Sequence, residues 1–178
     1  MITTSGVTIA FSGNALYENV SVKFLPGNCY GLIGANGSGK STFLKALSGD
    51  IDITNGNISI EEGRRIAVLS QDQFAFDDFS VLETVLMGHK DLYAIYAERN
   101  ELYEKDDLTD EEGMRIGELE ELFGEMDGYS AESDASILLN DLGIVEDLHE
   151  NKMADLEAGE KIRVLLAQAL FGNPDILL

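Results

Sequence analysis

Apolar and polar positions alternate along Val7-Thr8-Ile9-Ala10-Phe11 and again from Asn19 to Phe24. Ser12-Gly13-Asn14 reads as the turn between two strands, and Leu25-Pro26-Gly27-Asn28 ends the second. Cys29-Tyr30-Gly31-Leu32-Ile33 is short and mostly apolar without alternation, the pattern of a strand buried on both faces. Glycines follow, and then Phe43, Leu44 and Leu47 fall at helical spacing from Lys40 until Gly49 stops them. Asn57–Ile60 and Ile66–Ser70 predict two more strands. From Ser80 the period becomes helical: Val81, Leu82, Val85 and Leu86 form one stripe, and Leu92, Ile95, Tyr96, Arg99 and Tyr103 extend a second. Thr109, with Glu112 three residues on, is a capping box opening a third helix through Phe123. Ser130 is expected to cap a fourth that ends at Gly143, and a last helix runs from about Gly159 to Phe171. Asp175-Ile176-Leu177-Leu178 looks like the opening of a buried strand.

Length and composition fit a single folded domain: 178 residues, 44% hydrophobic, with only two prolines. Charge changes the picture more. Lys and Arg number 12 against 33 Asp and Glu, a net of −21, and the acid is concentrated. Residues 88–160 hold 23 acidic side chains and 5 basic ones; the other 105 residues hold 10 and 7. A nearly neutral frame therefore flanks an acidic helical block. Such a surface excludes non-specific binding to nucleic acid or anionic membrane, which needs basic groups to displace counterions. The single cysteine, Cys29, excludes an internal disulfide framework, suits a reducing, cytoplasmic compartment, and is expected as a packed thiol. No basic-then-apolar leader and no uncharged apolar run of spanning length is present. His89 and His149 lack partners at zinc-ligand spacing, and Asp106-Asp107 with Asp110-Glu111-Glu112 do not spell a calcium loop.

One motif carries chemistry. Gly34-Ala35-Asn36-Gly37-Ser38-Gly39-Lys40-Ser41 fits the spacing of a phosphate-binding loop. Its glycines let successive peptide N–H groups turn toward phosphate oxygens, and the helix that follows adds the partial positive charge of its N-terminus. Lys40 is expected to reach the β- and γ-phosphates, and the Ser41 hydroxyl to coordinate Mg²⁺.

With that loop in place, the whole chain resembles the ATP-binding cassettes (ABC). The resemblance implies an α/β fold: a P-loop NTPase of ABC type, with an antiparallel β subdomain, a parallel core sheet and an inserted α-helical subdomain. It divides the chain into an ATP-binding core over 1–87, an acidic helical subdomain over 88–158, and the signature helix with the start of the Walker B strand over 159–178. The implied nucleotide contacts are Gly34, Asn36, Gly37, Ser38, Gly39, Lys40, Ser41 and Thr42, with Phe11 stacking on adenine. Leu69-Ser70-Gln71-Asp72 looks like the Q-loop, whose Gln71 would reach Mg²⁺ and the attacking water. Leu156-Glu157-Ala158-Gly159-Glu160 stands where the signature of the family covers the γ-phosphate on a partner cassette.

Tyr17-Glu18-Asn19-Val20-Ser21, leading into Gly31-Leu32-Ile33-Gly34-Ala35-Asn36-Gly37, is similar to the ABC-F branch, tandem-cassette translation factors that act on the ribosome. The long stretch between Gln71 and Leu156 has room for the helical arm of that branch, roughly 89–128, and Gly124 to Glu132 is similar to the segment that closes it. The resemblance implies ATP and Mg²⁺ as cofactors, a second cassette and the ribosome as partners of the parent protein, and no membrane. A transporter ATP-binding subunit is the alternative. Two departures matter. Glu157 and Ala158 replace the Ser and first Gly of the usual signature, placing a carboxylate near a triphosphate, so the site this segment completes is expected to be degenerate or merely structural. The Walker B Asp and Glu are not among residues 1–178, so this stretch alone is expected not to hydrolyse ATP.

Overall fold

The computed structural model describes every residue of the chain except Ser12, Gly13 and Gln71. It divides into two compact units, Met1–Val68 with Leu178, and Leu69–Leu177.

The first unit is built on β1 (Ile2–Phe11), β2 (Asn14–Phe24), α1 (Lys40–Ser48), β3 (Asn55–Ile60) and β4 (Ile66–Ala67). β1 is the centre of an antiparallel sheet, with β2 and β3 on its two sides. The buried positions of β1 change parity along the strand: Ile2 and Thr4 point inward, then Val7 and Ile9. A register break between Thr4 and Val7 makes the switch, and Gly6 with φ +59° supplies the backbone it needs. Ser21 Oγ accepts from the Gly6 N–H, and Thr8 Oγ1 from that of Asn19, so side chains satisfy donors that the broken ladder leaves over. Val7, Ile9 and Ala46 of α1 form the core of this unit, with Tyr17, Val20, Ile51, Ile53 and Ile58 packed against them. α1 ends as expected at Gly49, whose left-handed φ of +80° returns its N–H to the last carbonyls.

The run Cys29–Ile33 does not form the expected buried strand. It has no strand assignment, Ile33 is 95% exposed, and Cys29 is exposed rather than packed. A strand hidden on both faces needs neighbours along its edges. Among the described residues none pairs with this segment, so its apolar side chains gain no cover. Tyr30 instead turns back on β2, accepting a hydrogen bond from the Leu25 N–H at 2.8 Å and meeting Phe24 edge to face.

The second unit is helical: α2 (Val81–Leu86), α3 (Lys90–Tyr103), α4 (Asp110–Glu125), α5 (Ala131–Asp141) and α6 (Ala158–Leu170), with the two-residue β5 (Ile176–Leu177) at its end. Its core runs through Val81, Val85, Leu139, Ile144, Met153 and Val164, all essentially inaccessible. Ser80 caps α2 and Thr109 caps α4 with the expected reciprocal Glu112 bond. Ser130 does not cap α5 in that way; its hydroxyl donates to the Asp127 carbonyl and to Asp134, because a 3-10 turn at Gly128–Ser130 leads directly into the helix. Leu177 is 47% exposed, so β5 is not the buried strand its composition suggested. α2 crosses α6 so closely that a Cβ on Gly88 would sit 1.9 Å from the Gln168 carbonyl oxygen, and Gln168 Nε2 donates to Thr84 O at 2.9 Å.

Candidate nucleotide site and the signature segment

In the first unit the glycine-rich loop ends on α1, and Gly39 is the residue before the helix. Its φ of +86° is a left-handed conformation, and a Cβ there would meet the Tyr17 hydroxyl at 2.3 Å and Leu16 Cδ2 at 2.7 Å. Only glycine allows the loop to close so tightly over β2. Gly39 offers no side chain to cap the helix, and no acidic residue stands in the first turn, so the leading N–H groups of α1 are left for a ligand. Leu16, Asn36, Gly37 and the run from Gly39 to Thr42 line an open depression of about 460 Å³. Lys40 Nζ donates to the carbonyl oxygens of Gly34 and Ala35 at 2.9 and 2.8 Å, folding back across its own loop. Ser38 N–H closes a turn onto Ala35 O at 3.1 Å. A Cβ on Gly34 would meet Ser38 Oγ at 2.6 Å, a contact that turning the serine side chain relieves. Ser41 is exposed and Thr42 half-buried at the start of the helix.

This arrangement fits a triphosphate with Mg²⁺: uncapped peptide donors at a helix start, one lysine ammonium, and an exposed serine beside it. Among the described residues no group of three or more His, Cys, Asp or Glu could hold a metal by itself. Phe11 stands at the end of β1, 56% exposed, rather than in the core. Gln71 lies outside the described residues. Sequence reasoning passed over Leu16 as a wall residue of the depression and Tyr17 as the neighbour of Gly39; both stand on β2, well before the loop in sequence.

In the second unit, Leu156 is buried, while Glu157, Ala158 and Gly159 are exposed at the start of α6. The Glu157 N–H donates to the Glu160 carboxylate at 3.0 Å. The peptide donor at the N-cap of α6 is thus already served by an internal anion, and the same residue, Glu157, carries a second carboxylate. Lys161, next along the helix and only 6% exposed, pairs with Asp77 at 2.5 Å under the Phe74 ring, 5.1 Å from its centroid. The Phe79 carbonyl accepts from Met153 N–H at 2.9 Å, and Asp77 O from Ala154 N–H at 3.2 Å. These bonds tie residues 77–79 to the segment before the signature and to its helix. His149 is buried between Ser136 Oγ and Ile144 O, both at 3.1 Å from its ring nitrogens, a satisfied core histidine.

α3 and α4 pack against each other through carboxylates and aromatic rings. Glu120 accepts from Arg99 Nε at 2.6 Å, from Tyr103 Oη at 2.8 Å and from the Tyr129 hydroxyl. These donors, Tyr129 foremost and then Arg99, pull the Glu120 carboxyl down to about 2. Arg115 binds Glu98, and Lys105 binds Glu112, which Lys105 and then Thr109 also hold at about 2. The Phe123 ring lies between Arg99 and Tyr129, and a Cβ on Gly128 would enter it at 2.4 Å.

A family model described as "ABC transporter" matches residues 17–178. The "Uncharacterized ABC transporter ATP-binding protein YkpA" of Bacillus subtilis is 54% identical across the whole chain, which covers 33% of that protein. The "ABC transporter F family member 4" of Arabidopsis thaliana is 29% identical over 99% of the chain and 25% of its own length. The chain thus spans a third or less of these curated relatives. Among solved structures, an ATP-binding subunit of an ABC transporter superposes with a TM-score of 0.68 at 18% identity, over 98% of this chain and 63% of that one. That likeness shows a shared fold.

Proposed function

The chain belongs to the ABC transporter family of ATP-binding cassettes, and from that premise we propose that its glycine-rich loop binds ATP with Mg²⁺. The observation that carries this is the start of α1, where uncapped N–H groups, Lys40 and the exposed Ser41 converge on one depression. When nucleotide binds, Lys40 leaves the Gly34 and Ala35 carbonyls for the β- and γ-phosphates, and Ser41 takes a coordination position on Mg²⁺. The loop glycines bring peptide donors within reach of the phosphates, and Phe11 offers a face to the base. Ser41→Ala tests the metal role: it is expected to keep ATP binding and lose most of the gain that Mg²⁺ provides. An undiminished Mg²⁺ effect would remove Ser41 from the metal site.

The parent protein is proposed as a cytoplasmic ABC-F protein with a second cassette, coupling ATP binding and hydrolysis to work on the ribosome. Support comes from the F-family relative and from the α3–α4 hairpin, which lies within the expected arm. Arg99, Lys105 and Arg115 are committed to Glu120, Glu112 and Glu98, so few cations of this hairpin are left for RNA phosphate. Contact through shape with ribosomal protein or tRNA, or basic surface elsewhere in the parent protein, is consistent with that commitment. The transporter-subunit reading draws on the name of the Bacillus relative; among the described residues no helix is long and apolar enough to cross a membrane. Co-sedimentation of the full-length protein with ribosomes in the presence of ATP separates the two, and recovery with membranes instead would favour the transporter.

The signature segment is proposed to be degenerate or merely structural, since Glu157 puts a carboxylate in place of the usual serine at the helix end that would face a partner's γ-phosphate. Glu157→Ser with Ala158→Gly in the full-length protein is expected to raise the ATPase rate. An unchanged rate would defeat this reading.

A further inference from the structure

Among the described residues, one buried side-chain polar atom has no hydrogen-bond partner: the hydroxyl of Tyr17. It lies in the wall of the nucleotide loop. The Gly39 backbone passes so close that any Cβ there would sit 2.3 Å from this oxygen. The Tyr17 ring meets Phe43 of α1 edge to face at 5.8 Å. Burial pushes the phenol upward in pKa, with the Phe43 peptide N–H pulling the other way. That N–H donates to the Gly39 carbonyl, 2.9 Å away, rather than to the phenol oxygen, and among the described residues nothing accepts the phenol proton. A hydroxyl kept in this state costs stability, because water has been lost and nothing replaces it.

A group placed to supply the bond is the Gly39 peptide, whose Cβ position falls 2.3 Å from this oxygen. Its carbonyl has a second lone pair beyond the one Phe43 uses, and glycine at this φ can rotate without a side chain to obstruct it. In its present form the loop is spanned by Lys40, bonded to the Gly34 and Ala35 carbonyls. We propose that Tyr17 is a positioning residue for the phosphate loop: its hydroxyl is unpaired while Lys40 spans the loop, and donates to the Gly39 carbonyl once Lys40 turns to phosphate. Loop closure on nucleotide is then favoured by relief of an unsatisfied donor.

This rests on ATP occupying the loop, and the test separates the two claims. ATP with Mg²⁺ is titrated calorimetrically into the chain, into Tyr17→Phe and into Lys40→Ala, and each protein is melted without nucleotide. Tyr17→Phe removes the hydroxyl and keeps the ring. It is expected to bind ATP roughly 3- to 10-fold more weakly, the span of one neutral hydrogen bond, while its nucleotide-free Tm stays level or rises. Opposite movement of affinity and stability is the signature, because a merely structural hydroxyl would lower both together or neither. Equal affinity for the chain and Tyr17→Phe would overturn the inference while leaving the ATP site intact. A joint fall in Tm and affinity would overturn it as well. Failure of the unsubstituted chain to bind, or binding that survives Lys40→Ala, would instead overturn the ATP reading and this inference with it.

Discussion

Gly39 and Lys40 show how much of the site is decided by single residues. The absent Cβ of Gly39 is what lets the loop lie against Leu16 and Tyr17, and its left-handed φ is closed to most side chains. Gly39→Ala is therefore expected to destabilise the first unit by about 1–2 kcal/mol from the backbone alone, with Tyr17 displaced in addition, read as a lowered Tm in thermal denaturation. An unchanged Tm would mean that the loop does not depend on this contact. At this scale the spacing of Gly34, Gly39, Lys40 and Ser41 was legible from residue order, because a phosphate loop is a local object. The partner of Gly39 was not. Tyr17 lies 22 positions away, and β2 carries it there through a register that turns on the bulge at Gly6 and the left-handed Asn19.

The α3–α4 hairpin makes the corresponding point for elements. The Thr109–Glu112 capping box sits at the expected place because both partners lie within one turn. The bonds that hold the hairpin together converge on Glu120 from three donors on two segments, Arg99 and Tyr103 of α3 and Tyr129 of the turn after α4, which no local pattern announces. Their pH dependence has a definite sign. Glu120 and Glu112 both titrate near 2 in the folded hairpin, below the ordinary 4.5. Their contribution is present above the ordinary value and is lost as pH falls toward 2. Helicity followed by circular dichroism is expected to drop in that window, and Glu120→Gln to weaken the hairpin near neutral pH while flattening the acid response. An identical acid profile in the variant would remove Glu120 as the origin. The missed strand at 29–33 belongs to this scale too: its apolar run reports a preference for burial, but a strand exists only where a neighbouring edge pairs with it.

For the molecule as a whole, the −21 net charge is a property of one region, since residues 88–160 carry most of it. The hairpin pairs offset only part of that excess, and the remaining carboxylates repel one another across the helical unit. Raising salt from about 10 to about 100 mM shortens the screening length from about 30 to about 10 Å and is expected to raise the Tm by a few degrees. A flat or falling Tm would show that the surface ion pairs outweigh the repulsion. On the proposed function, Lys40, in the near-neutral frame around the glycine loop, is the cation that meets an incoming polyphosphate. Calorimetric titration of ATP into the 178-residue chain, with and without Mg²⁺ and repeated with Lys40→Ala, tests that most directly. Saturable one-to-one binding, tightened by Mg²⁺ and abolished by Lys40→Ala, is the predicted result. Absence of binding, or binding that Lys40→Ala leaves unchanged, would contradict it.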